Sequence, residues 1–400
     1  MIIDRIRRIT RDGRWIAEID GLRFLAIFSV FLFHLSGEVI MRSGRIIPVE
    51  NRYLLLLQPV ANGDRGVELF FVISGMILAM PFARSLLKGA KKVSIRKYYM
   101  RRVTRLEPPY LVSVLLFLVL LAVYMHGHLG KAFLGHALAS AFYLHGMIYG
   151  SMSPVNPVTW SLEIEIQFYL LAPLFMQLFR VRGQTGRRLI MVAGILLIGV
   201  AQAPLRNIPR VELSILFHLQ YFLAGLLLAD ILVLDLERMR SRWIWDVAGF
   251  AALAFIFEVG HEVYAAHILL PFAIGVLCLA AMRGPVLHRI FANSWIAVTG
   301  GMCYSIYLMH FMLMAAIFKE SRRLIVPHFD FFANYLIQFV ALGIPILLLS
   351  AAFYLLVERP CMDPDWPSKL WHRVTGRSGN EVEALDANGI SDDEGSRLPS

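Results

Sequence analysis

Long apolar stretches recur along almost the whole chain of 400 residues, each broken by only a few polar positions. A helix rises about 1.5 Å per residue, so about 20 such residues cross the ~30 Å hydrocarbon core of a bilayer. On that pattern ten spans are predicted, at 22–40, 67–83, 108–126, 158–179, 189–204, 212–233, 244–260, 265–282, 294–318 and 335–357. The seventh and eighth are short and are separated by a loop carrying Glu258, His261 and Glu262. The expected fold class is therefore all-α, a polytopic membrane helix bundle. Composition agrees: 58% of residues are hydrophobic and 17% charged, with a mean hydropathy of +0.61. A soluble domain is nearer half apolar and a quarter charged.

Charge sets the expected orientation, because Lys and Arg accumulate in cytoplasmic loops. Arg5, Arg7, Arg8, Arg11 and Arg14 precede the first span, and a dense run from Arg84 to Arg105 separates the second from the third. Alternate segments on the amino-terminal side hold most of the 39 Lys and Arg residues, which predicts both termini in the cytoplasm. The net charge of +10 thus has a topological cause, and no nucleic-acid partner is expected. The first span is too long for a signal-peptide core and has no small-residue cleavage site after it, so it reads as retained. Residues 1–375 form the expected membrane domain. Residues 376–400, rich in Gly, Ser, Asp and Glu without aromatics, read as a disordered cytoplasmic tail, and no separate soluble catalytic domain is expected.

Ionisable groups inside the spans carry the candidate chemistry. Such groups are costly in lipid, face the bundle interior, and tend to be functional. Arg23 and His34 lie eleven positions apart, nearly three turns, so both fall on one helical face about 16 Å apart along the axis. The plainer alternative is an interfacial arginine and a hydrogen-bonded core histidine. Counting from the expected outer ends puts His34 roughly 9 Å deep, Glu165 roughly 10 Å and His310 roughly 12 Å, with Glu68 at the outer mouth of the second helix. A shared polar chamber opening outward is the simplest account.

The fourth helix has a readable start, with Asn156 as N-cap and Pro157 at the first position. Ser161, Glu165 and Tyr169 form one stripe every four residues; Thr159, Glu163 and Gln167 form another, with Glu163 read as an interfacial acid near the outer surface. Arg101, Arg102 and Arg105 stand just before Pro108 and Pro109. They serve either as positive-inside anchors or as a phosphate clamp, for which arginine's planar fork is suited. Gly75 reads as a close-packing position. Cys278, Cys303 and Cys361 show no metal or disulfide spacing, and His126, His128, His136 and His145 read as ordinary loop histidines, so no metal site is expected.

Taken together, several motifs resemble the acyltransferase 3 family, integral-membrane enzymes that acylate sugars and related acceptors, especially on bacterial surfaces. They are Ile19-Asp20-Gly21-Leu22-Arg23 followed by His34; Gly66-Val67-Glu68-Leu69-Phe70-Phe71 with Ser74-Gly75; Arg102 and Arg105 with Pro108 and Tyr110; Trp160-Ser161-Leu162 with Glu165 and Gln167-Phe168-Tyr169; Tyr304-Ser305-Ile306-Tyr307-Leu308 with His310; and Glu358-Arg359-Pro360. The resemblance covers roughly residues 18 to 360. Position 68 is often aspartate in that family, and Ile166 stands where a second acid is common. Many members carry a further soluble esterase-like domain, which is not expected here.

The resemblance implies a multi-pass protein of the bacterial inner membrane that moves an acyl group, by default acetyl, from cytoplasmic acyl-CoA to a hydroxyl of a saccharide or lipid-linked saccharide. No bound cofactor is expected, acyl-CoA being a co-substrate. His34 would be general base or transient acyl carrier, assisted by Glu165 and Arg23. Glu68, His310, Ser161 and Tyr169 would bind substrate, and Arg101, Arg102 and Arg105 the acyl-CoA. Direct transfer and a two-step relay both remain open. The rival class is a transporter or flippase for a lipid-linked sugar; no repeated half or paired broken helices are visible to support it.

Overall fold

The computed structural model describes residues 8, 16–42, 54–124, 130–363 and 366. The tail 376–400, His126, His128 and the basic residues Arg5, Arg7, Arg11 and Arg14 lie outside the described residues. Every regular element among the described residues is helical. Helix is the expected result, since inside lipid a helix satisfies its own backbone donors and acceptors.

Each predicted span coincides with helix. The long elements are α1 (Ala17–Arg42), α2 (Gly66–Lys88), α3 (Ile95–Tyr124), α4 (Trp160–Phe175), α5 (Gln184–Leu205), α6 (Ile215–Leu234), α7 (Trp243–Glu258), α8 (Tyr264–Arg283), α9 (Ser294–Gly301), α10 (Cys303–Ser321) and α11 (Phe331–Phe353). Eight helices among the described residues are long and apolar enough to cross a membrane, nine if the bent pair α9–α10 counts as one span. The ten-span expectation differs at two places. α7 is only 16 residues long, and the predicted ninth span is broken between α9 and α10 by a bend of 69°.

Helices in lipid gain little from burying apolar area against each other, so close backbone approach holds the bundle instead. α2 and α6 pack most extensively. A Cβ added to Gly75 would sit 2.6 Å from the carbonyl oxygen of Phe222, and one added to Gly225 would strike the backbone of α2 around Val72 and Met76. α1 is similarly tight: Gly300 of α9 abuts the Asp20 carbonyl, and Gly21 abuts the backbone of Phe291. α1 thus lies inside the bundle, against α2, α9, α10 and α11.

α3 is peripheral. Leu111, Leu115, Val119 and Val123 are exposed along one side, which suits a lipid-facing surface. Pro108 cannot donate to the carbonyl of Thr104, and the Trp366 indole takes that acceptor at 2.9 Å.

Candidate active site

A cavity of about 660 Å³ opens among α1, α2, α3, α4 and the broken pair α9–α10. The break itself lines it: Gly301, Cys303 and Tyr304 all face the space. Irregular backbone at membrane depth is tolerated where it borders such a polar cavity.

On one wall α4 presents Ser161, Glu165 and Tyr169, spaced at four residues and therefore on one face. Glu165 Oε1 accepts from the Ser74 hydroxyl of α2 and from the Tyr169 hydroxyl one turn on. Those donors satisfy a carboxylate that lipid could not. Ser161 Oγ and the Tyr307 hydroxyl are 2.6 Å apart, and Tyr307 donates to the Val158 carbonyl at 2.6 Å.

An adjoining wall is basic. Lys97, Arg101, Arg102 and Arg105 face the cavity from the first three turns of α3, joined by Arg8 and Arg23. Arg102 lies 5.3 Å over the Tyr169 ring and 5.9 Å over that of Tyr98, a cation–π arrangement that leaves its donors free to turn outward. Arg23 donates to Asp20 at 2.8 Å, and Arg8 reaches the same oxygen at 3.2 Å. The buried Nε of Arg105 meets no acceptor among the described residues. Glu358, buried at the end of a π-helical turn (Tyr354–Glu358), accepts from Ser305 N at 3.1 Å and Ser305 Oγ at 2.5 Å. The wall combines anion-seeking guanidinium groups with an orphaned buried donor, and the donor set fits a phosphate-bearing ligand.

His34 and His310 do not line this cavity; they pair with each other, ring centroids 5.3 Å apart. His310 is fully buried, and its Nδ1 lies 2.9 Å from the Tyr307 carbonyl and 3.1 Å from that of Ile306. Carbonyls accept, so Nδ1 carries the proton and Nε2 is left as an acceptor, with no partner among the described residues. Tyr307 links the two places: its ring lines the cavity and stands 5.7 Å from His310. Glu68 lies in a third cluster. Its buried Oε2 has no partner among the described residues and lies near Asp64 and the fully buried Arg65, whose Nη1 donates to the Ile256 carbonyl at 2.6 Å. His261 pairs with Asp64 at 3.2 Å at the surface of that cluster.

The second stripe of α4 is structural. Glu163, expected as an interfacial acid, is buried in the bundle, where its carboxylate accepts the Gly146 N–H at 2.7 Å and so caps the short helix His145–Tyr149. Gln167 accepts from Ile215 N at 2.8 Å, at the first residue of α6. Asn156 occupies the cap position but makes no cap bond; its amide donates to the Leu308 carbonyl at 2.9 Å, tying α4 to α10. His136 Nδ1 lies 2.8 Å from His145 Nε2, and His145 Nδ1 donates to Ser151 O at 3.0 Å. Burial holds His145 below the ordinary imidazole range. Among the described residues no group of three or more His, Cys, Asp or Glu is placed to hold a metal ion.

Sequence reasoning overlooked Ser74, Tyr304, Tyr307 and Glu358 as cavity residues. The signal was there for two of them: Tyr304 and Tyr307 are one turn apart and must share a face.

Comparison with known proteins bears on this geometry. The peptidoglycan O-acetyltransferase OatA of Listeria monocytogenes is 26% identical over 342 residues, 77% of this chain and 51% of that protein. The O-acetyltransferase OatA of Staphylococcus aureus is 24% identical over 328 residues, 75% of this chain and 51% of its own length. A putative peptidoglycan O-acetyltransferase, YrhL of Bacillus subtilis, is 30% identical over 183 residues, 42% of this chain and 24% of YrhL. The chain spans about half the length of the curated relatives OatA that it matches. No solved structure matches. Residues 16–355 match the acyltransferase domain family, acyltransferase 3, and the chain belongs to it.

Proposed function

We propose that the protein is an O-acetyltransferase of the bacterial inner membrane, taking acetyl from acyl-CoA presented on the cytoplasmic side and passing it to a saccharide hydroxyl. The relatives named as peptidoglycan O-acetyltransferases make a peptidoglycan sugar the first acceptor to try. The observation that carries the reading is one cavity holding both a basic wall, Arg101, Arg102 and Arg105, and the Ser74–Glu165–Tyr169 cluster. The arginines grip the phosphates of the donor, as bidentate guanidinium groups do. The pantetheine arm then runs past Arg23 toward Glu165.

His34 is the general base of this reading, the imidazole being suited to proton transfer near neutral pH. His310 stands beside it, its Nε2 without a partner among the described residues. Glu165 orders Ser74 and Tyr169 around the reacting ester. Tyr307, which lines the cavity and stands 5.7 Å from His310, is the side chain that would have to turn aside for an acceptor in the cavity to reach the imidazole pair.

The test is incubation of the purified protein with radiolabelled acetyl-CoA and crude cell-envelope glycans, with His34→Ala alongside. The wild type transfers label to glycan. His34→Ala loses at least about 100-fold in rate, the usual contribution of a positioned base. Label that binds or crosses without being transferred would identify a carrier, and near-normal turnover by His34→Ala would remove the base.

A further inference from the structure

Beside Glu165 a small recess of about 10 Å³ opens off the large cavity. The two share Leu106, Leu162, Glu165, Tyr169 and Tyr304, while Tyr143 and Ile166 line the recess and not the large cavity. A space of that size admits one water-sized group. Apart from Glu165 and the tyrosine edges, its walls are apolar: Leu106, Leu162 and Ile166.

The Tyr143 wall is fixed in place. The Tyr143 ring stacks on Tyr110 with centroids 4.3 Å apart, and its hydroxyl donates to Glu107 at 3.4 Å. Tyr110 is itself held by a 2.7 Å bond to the Ser140 carbonyl. Tyr143 has φ of 57°, a left-handed conformation that a bulky residue adopts only when its surroundings impose it. Tyr304 donates to the Leu106 carbonyl at 3.0 Å, which pins a second wall. Close-packed walls of this kind do not stretch to fit a larger guest.

We propose that this recess receives the methyl end of the donor's acyl group and restricts transfer to two-carbon acyl units, with Ile166 and Tyr143 as the chain-length determinants. The inference rests on the acyl-CoA reading above. With the donor phosphates on the arginine wall, the thioester carbon arrives beside Glu165, and its substituent enters the recess. A third carbon meets Ile166 or the Tyr143 ring. In the transfer the acyl C–S bond breaks and a C–O bond to the acceptor forms. The hydroxyl proton passes through the base to the departing thiolate, and the recess takes no part in bond-making.

The experiment is competition binding on the full chain in detergent, with radiolabelled acetyl-CoA displaced by acetyl-, propionyl- or butyryl-CoA. In the wild type each added methylene weakens displacement about 10-fold, a typical cost of one carbon too many in an apolar pocket. Ile166→Ala lowers the butyryl-to-acetyl ratio at least about 10-fold, and Ile166→Val moves it the same way by less. Ratios taken within one variant cancel differences in yield and folding. A wild type indifferent to chain length, or the same ratio in Ile166→Ala, overturns the recess. Failure of labelled acetyl-CoA to bind the wild type at all overturns the donor reading instead.

Discussion

Glu165 keeps a carboxylate at membrane depth because two hydroxyls, from Ser74 and Tyr169, are aimed at one of its oxygens. Arg102 completes the arrangement by lying on the Tyr169 ring, so the acidic and basic walls of the cavity meet through a single tyrosine. Arg105 differs from its neighbours Arg101 and Arg102 in having a buried Nε with no partner among the described residues. Arg105→Lys keeps the charge and removes the fork. If Arg105 grips phosphate, acetyl-CoA affinity measured by titration falls about 10-fold, whereas unchanged affinity assigns this arginine to membrane anchoring.

At the scale of elements, the contact of α2 with α6 depends on hydrogen atoms where side chains would stand, at Gly75 and Gly225. Gly225→Leu forces the two backbones apart. A cost of at least about 3 kcal/mol is expected, the upper end for overpacking, because backbone cannot move aside as a side chain does. Thermal unfolding in detergent measures it, and a midpoint within error of wild type would contradict the packing. The loop between α7 and α8 is tied to the start of α2 by His261 and Asp64. The hydrogen bond to Asp64 raises the His261 pKa, partly opposed by burial. A raised imidazole stabilises the fold fully below its ordinary pKa, and that stability is lost as pH rises through the raised value. Because both side chains are more than 40% exposed, the effect stays below about 1 kcal/mol. The thermal midpoint of wild type relative to His261→Gln should therefore be higher at pH 5.5 than at pH 8.5, and equal differences at the two pH values would remove the pair as a tether.

At the scale of the whole molecule, the arginine wall of the cavity and the basic run between α2 and α3 lie at the same end of the bundle, since both belong to the first turns of α3 and the segment before it. In the proposed orientation, which rests on the positive-inside rule, that end faces the cytoplasm, the side from which the proposed acyl-CoA donor would enter. A reporter fused after residue 361 should accordingly be active in its cytoplasmic form, such as a fluorescent protein, and inactive as a periplasmic phosphatase. The reverse result would put the arginine wall on the wrong side for the donor.

Helix positions were legible in the residues, because in lipid an apolar run of sufficient length has one way to satisfy its backbone; the number of crossings was not, since α7 is short and the predicted ninth span is broken. The face shared by Ser161, Glu165 and Tyr169 was legible too, from 3.6-residue periodicity alone. That stripe was the one expected at the chamber, and it lines the cavity; what Glu163 and Gln167 do instead was not legible, since they are as polar as Glu165 and differ only in the backbone groups that tertiary packing brought to them. The same holds for the pairing of His34 with His310 instead of Glu165, and for the 69° break that shapes the cavity wall. Periodicity and transfer energy are properties of one segment and so reside in the sequence. Distances between segments depend on where close backbone contacts such as Gly75 with Gly225 allow helices to approach, and only the assembled bundle decides that.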